Sequence, residues 1–198
     1  MSWTSTERYR IRPAPGGLAL VQELLNTRGI TPYATDALAE QTAARQWLRD
    51  TTAYWAGEHG WDTPSAAPAD ADVQQVMTLR DRLERMTAGH PPTETGPTTV
   101  TLTPALTADG TVTLSPQGSP GPWLEAAVWA EVLLAQHDHT WKRLKLCKEP
   151  QCRSAFYDRS RNNSGVWHDV RTCGNAANLR ASRARRKAAP TPNTTEQA

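Results

Sequence analysis

Long apolar runs are missing from this chain. No stretch of its 198 residues approaches the ~20 apolar side chains of a membrane-spanning helix. The opening residues, MSWTSTERYRIRP, have no apolar signal-peptide core. Both absences point away from membranes and secretion, and a cytoplasmic protein is expected. Cysteine is scarce: there are three, an odd number that cannot all pair within one chain. In a reducing compartment, clustered thiols favour a metal over a disulfide. Catalytic signatures are also missing, with no nucleophile elbow, phosphate-binding glycine loop or H-E-x-x-H helix. Glu23, Glu40, Glu58, His59, Asp70, Asp72, Asp81 and Glu84 read as solvated helix faces, so no enzyme is expected. Phenylalanine occurs once and tryptophan eight times. Trp47, Trp55, Trp61, Trp123 and Trp129 read as core and interface residues rather than a binding cage.

What is present is a division of charge. Residues 141–187 hold thirteen Lys and Arg against three acids, a local excess of +10, whereas residues 1–140 carry −7. The net charge of +2 hides this asymmetry, which points to a polyanion partner for the basic end.

Periodicity predicts a mainly α fold for residues 1–140 with one β-hairpin. Leu18, Val21, Leu24 and Leu25 mark a short amphipathic helix over 17–27, and Ala43, Trp47, Ala53 and Trp55 a longer one over 39–58. Val73, Val76, Leu79 and Leu83 mark a third over 70–88, and Leu124, Val128 and Val132 a fourth over 123–137. Polar and apolar residues alternate over 98–103 and 111–114 around Asp109-Gly110, which predicts the hairpin. Residues 141–188 read as a second, metal-folded module, and the polar tail 189–198 as disordered. Residues 1–15 read as loose.

All three cysteines fall within 147–173, and a histidine lies among them. Cys147 and Cys152 enclose four residues, as do His168 and Cys173, and fifteen residues separate the pairs. Two close pairs of soft ligands across a short loop suit one tetrahedral zinc ion. Taken alone, His168 beside Trp167 would be an exposed histidine, and the cysteines two small buried thiols; the matched spacing and the polar company of Lys145, Lys148, Glu149 and Arg153 favour the metal. Four protein ligands leave no open position, so the zinc is structural, replacing a core that ~45 residues cannot build alone. A treble-clef-like layout is expected: a knuckle with Cys147 and Cys152, two short strands around an Asn162–Gly165 turn, then His168 and Cys173 opening the last helix. His137-Asp138-His139 could hold a second metal, but a polar helix end is the simpler reading.

After Gly174, taken as a sharp turn, and Asn175, taken as the N-cap, residues 176–187 form a helix with Arg180, Arg183, Arg185, Arg186 and Lys187 and no acid. Such a surface suits phosphate binding. Arg153, Arg159 and Arg161 could add contacts.

The segment LCKEPQCRSAFYDRSRNNSGVWHDVRTCGNAANLRASRARRK resembles the CGNR zinc-finger family, through its C-x4-C pair, Phe156-Tyr157-Asp158-Arg159-Ser160-Arg161-Asn162, and Cys173-Gly174-Asn175 before the basic helix. His168 stands where that family usually has cysteine, and Ala176 where it has the arginine of its name. Gly17-Leu18-Ala19-Leu20, Leu25-Asn26-Thr27 and Trp47-Leu48 resemble the ABATE domain that precedes such fingers. The resemblance implies a stress-related transcription regulator. The expected function is thus a zinc-finger DNA-binding regulator whose acidic N-terminal domain senses a small-molecule or protein effector or forms a homodimer. The alternative is a zinc-stabilised module that grips RNA or an acidic protein.

Overall fold

The computed structural model describes residues 3–91 and 99–188. Its architecture is mostly helical with two small antiparallel strand pairs. At the centre lies α2 (Leu18–Asn26), all nine residues of which are buried. One-sided apolar spacing predicts an amphipathic helix here. The structure covers the polar side as well, because each polar side chain is bonded. Glu23 accepts the backbone N–H groups of Ser5 and Thr6 at 2.7 and 2.9 Å. These belong to a short helix, α1 (Thr4–Glu7), in a segment expected to be loose. Gln22 accepts the Ala14 N–H at 2.5 Å.

Around α2 pack α3 (Gln41–His59), α4 (Asp70–Thr87) and α5 (Pro120–His137). Glu40 caps α3 by accepting from the Thr42 and Ala43 N–H groups, and Gly60, at φ +63, ends it in the left-handed conformation that glycine adopts without strain. The fourth helix begins three residues earlier than Trp123, since Pro120 occupies its first turn, where a missing N–H costs nothing. The core joins Leu20, Leu24, Leu48, Leu79, Leu83, Leu124 and Val128, all at most 1 % exposed. Arg80 also lies inside at 1 % exposure, forked on Asp36 at 2.8 and 2.9 Å and bonded to Thr27 Oγ1. Apolar periodicity did not foresee a buried cation on that helix.

The hairpin pairs β1 (Leu102–Leu106) with β2 (Val112–Pro116), Leu102 opposite Pro116 and Leu106 opposite Val112. Its first strand starts later than the alternation suggests; Thr98, the start of the expected strand, lies outside the described residues, as does the tail 189–198. Among the described residues no helix is long and apolar enough to cross a membrane.

Packing runs across residue 140. A short 3-10 turn (Trp141–Arg143) leads into β3 (Leu144–Leu146), which pairs with β4 (Ala155–Tyr157). Leu144 and Ala155 belong to the main core. The Ala155 N–H donates to Asn26 Oδ1 at 2.8 Å, and its carbonyl accepts from Asn26 Nδ2 at 3.0 Å and Gln22 Nε2 at 3.1 Å. A side-chain amide thus stands in for a neighbouring strand. Replacing Asn26 with Leu strands a buried N–H and should lower stability by about 1–3 kcal/mol, measured as a shifted guanidinium unfolding midpoint with unchanged slope.

Candidate metal centre

Four side chains converge at the edge of this second strand pair. Cys147 directly follows the first strand and Cys152 precedes the second, so the β3–β4 pairing brings the ends of their connection together. Within that connection the Cys147 N–H bonds the Ser154 carbonyl at 2.9 Å, and the N–H groups of Cys152 and Arg153 both bond the Glu149 carbonyl. Arg153, at φ +53, completes the tight turn. Cys173 arrives from a π-helical turn, Val170–Gly174. This turn runs directly into α6 (Asn175–Ala188).

Both details differ from the expectation for this region. The strands flank the knuckle instead of an Asn162–Gly165 turn. Asp158 is the reason: its carboxylate accepts the Ser160 N–H at 2.9 Å, the Gly165 N–H at 2.7 Å and Lys145 Nζ at 2.7 Å. Those bonds wind residues 158–165 into a compact loop, and a Cβ on Gly165 would lie 2.8 Å from Asp158 Oδ1. The helix cap is Asp169, which accepts the Arg171 N–H at 2.8 Å, whereas Asn175 is already helical. Gly174 supplies room rather than a special turn, because a Cβ there would meet Val170 at 3.2 Å and Trp167 at 3.3 Å.

The ligand atoms of Cys147, Cys152, His168 and Cys173 all lie within 4.8 Å of one another. His168 Nδ1 is 3.3 Å from Cys152 Sγ and 3.6 Å from Cys173 Sγ. Metal–sulfur and metal–nitrogen bonds of ~2.3 and ~2.0 Å at tetrahedral angles imply an S···N edge of about 3.5 Å, so the donors fit one ion. Contact between the Cys147 and Cys152 sulfurs pushes the Cys152 thiol down and the Cys147 thiol up. The Cys173 thiol is pushed up by burial and by the Cys152 sulfur. Cys147 and Cys173 are buried, and Cys152 and His168 half-buried. Ile11, Phe156 and Trp167 pack around the four, so a segment near the N-terminus helps close the site. Sequence reasoning missed Ile11, which no spacing links to the cysteines. Among the described residues no second cluster of three or more potential ligands forms. His137 pairs with Asp138 at an exposed helix end.

The eight basic residues singled out in the sequence do not share one environment. Arg153 pairs with Glu84 of α4 at 2.9 Å. Arg159 donates to the Pro13 carbonyl at 2.7 Å and stacks over Tyr157. Arg180 pairs with Glu149 of the knuckle, whose carboxyl it holds below the usual carboxylate range. Arg161, Arg183, Arg185, Arg186 and Lys187 are exposed, and among the described residues they meet no acid. Nothing on α6 is buried. It projects from the metal centre, held at its base by Gly174 and Arg180. Phe156 is buried, and Tyr157 and Trp167 pack against the interior, so these three rings serve the packing of the module.

A family model described as the CGNR zinc finger matches residues 143–186. No curated protein matches the chain. The matched span begins at the start of the β3–β4 unit and ends in the basic helix, and it contains all four converging ligands. The C-terminal part of the chain is therefore a metal-stabilised module of zinc-finger type.

Two outcomes follow from this geometry. Cys173→Ser should abolish stoichiometric metal uptake and unfold α6 and the knuckle, seen as loss of bound metal in elemental analysis and of helical circular dichroism. Asp158 has a carboxyl well below its ordinary range: burial acts to raise it, and the bonds from Lys145, Ser160 and Gly165 overcome that. Its contribution is full above pH ~5 and fades as pH falls below the unfolded value of ~3.9 toward the lower folded one. Asp158→Asn should lower stability by about 1–3 kcal/mol at neutral pH, and the gap to wild type should narrow in acid.

Proposed function

We propose that the ion is a single Zn2+ held by Cys147, Cys152, His168 and Cys173, and that it is structural. Three thiolates and one imidazole are a soft donor set, and a closed set of four leaves no position for a reacting water. The ion's role is to hold the knuckle, the loop bearing His168 and the base of α6 in one arrangement. No step of chemistry is assigned to this chain, and it acts by binding.

The partner we infer is duplex DNA, gripped through its phosphates, in the service of transcription control. The observation that carries this reading is the helix α6: fourteen residues, none buried, with Arg183, Arg185, Arg186 and Lys187 free of acidic partners among the described residues. A largely exposed helix with so much charge of one sign suits a polyanion. Arg161 extends the same surface, whereas Arg153, Arg159 and Arg180 serve first to brace the module against the body. Packing of Phe156, Tyr157 and Trp167 against the interior favours duplex over single-stranded RNA, which would need aromatic faces for stacking. The acidic residues 1–140, which resemble an ABATE domain, would carry the effector response of a stress-related regulator, acting in the cytoplasm as a monomer or homodimer.

The test is affinity against ionic strength. Binding to duplex DNA should fall by orders of magnitude between ~50 and ~200 mM salt, with a log–log slope near −0.9 per phosphate engaged. Replacing Arg183, Arg186 and Lys187 together with Gln should reduce that slope by about 2–3 while leaving thermal stability within ~0.5 kcal/mol. Salt-independent binding, or tighter binding to single-stranded RNA in competition, would overturn the DNA reading.

A further inference from the structure

The N-terminal half contains a second site of a different character. Beside α1, a cleft of about 180 Å3 opens between Trp3, Trp47 and Tyr54, with Glu23 and Asp50 also in its wall. The rings are held. Trp3 meets Tyr54 edge-on with centroids 4.9 Å apart, and Trp47 Nε1 donates to Ser5 Oγ at 3.1 Å. Glu23 is 2 % exposed, yet among the described residues no Lys, Arg or His pairs with it. Its contacts are neutral: the Ser5 and Thr6 N–H groups and the Trp47 indole. Among the described residues Asp50 accepts only from Gln46, at 2.7 Å. Among the described residues no basic side chain lines the cleft, and neither of the cation–ring contacts they form involves its three aromatic rings.

Two carboxylates without a counter-ion thus face three π-surfaces that lack a cation. Buried negative charge is costly unless it is compensated. Neutral donors satisfy the lone pairs of Glu23 without cancelling its charge. The deficit is one of positive charge more than of hydrogen-bond donors. A cation without N–H groups and with an apolar skin answers both needs, and aromatic walls are how proteins recognise quaternary ammonium groups. The volume lies below the ~300–1,000 Å3 of a pocket for a whole drug-sized ligand, so it admits a head group.

We propose that this cleft binds a trimethylammonium head group. This gives a chemical class to the effector proposed above for the acidic half, and it rests on that reading only for its regulatory meaning. The excess of −7 over residues 1–140 favours the approach of such a cation.

The test uses the full metal-loaded chain without nucleic acid, so that the outcome does not depend on DNA binding. Choline is titrated by calorimetry and by tryptophan fluorescence, alongside its neutral carbon isostere 3,3-dimethylbutan-1-ol and a trimethyl-lysine peptide. Binding of choline or of the peptide with the isostere about tenfold weaker or worse supports the site, and the tighter of the two identifies its source as a free metabolite or a modified protein. Tyr54→Leu should weaken binding about tenfold and Asp50→Asn several-fold, with helical circular dichroism retained. If neither ammonium compound binds at millimolar concentration, or the isostere binds as well as choline, the proposal fails. It fails equally if both folded variants bind like wild type.

Discussion

The backbone of Ala155 is satisfied on one side by a helix. Asn26 gives its amide to both the N–H and the carbonyl of that residue, and Gln22 adds a second donor. This pairing decides where the metal-binding module lies. The strand that carries Ala155 also carries buried Phe156, which packs on the ligands, and the turn bearing Cys152 precedes it. Were the amide lost, the short β3–β4 unit would lose its bonds to the Ala155 N–H and carbonyl at the point where it meets α2. A metal ion can fold a module of this size, but it cannot by itself orient that module against a neighbour.

Further ties then become intelligible. Arg153 reaches Glu84, Arg159 reaches the Pro13 carbonyl, and Ile11 closes one side of the ligand cluster. Each crosses between the acidic and basic parts of the chain. Opposite charge that looks in the sequence like a partition of roles also serves as internal attachment. Among the described residues, Arg161 and Arg183, Arg185, Arg186 and Lys187 of α6 are left without an acidic partner.

Much of this was legible from residue spacing. Long helices with a clean apolar stripe were placed to within a few residues, because packing and local preference agree there. The four metal ligands were legible for a different reason: soft donors are rare, and their spacing has few other uses. Polar bonds between residues far apart in sequence were not. Glu23 read as the wet side of a helix, since nothing in the sequence says that Ser5 and Thr6 return to meet it; nor does anything there link Asn26 to Ala155. Arg80 was hidden in the same way by its partner Asp36, forty-four residues earlier. The strand pairing around the metal was misplaced because the bonds of one carboxylate, on Asp158, outweigh the β-propensity of Val166 and Trp167. Asn175 was a plausible cap only while the wider turn before it was unknown.

Helix α6 has no interior to answer to, since nothing in its fourteen residues is buried. Core positions elsewhere are constrained by volume, whereas most exchanges on such a helix change stability by less than ~0.5 kcal/mol. Beyond Arg180, heredity can therefore revise the helix letter by letter without endangering the scaffold. A lineage could retarget the protein quickly there, while the metal knot and the nine hidden residues of α2 stayed almost unaltered.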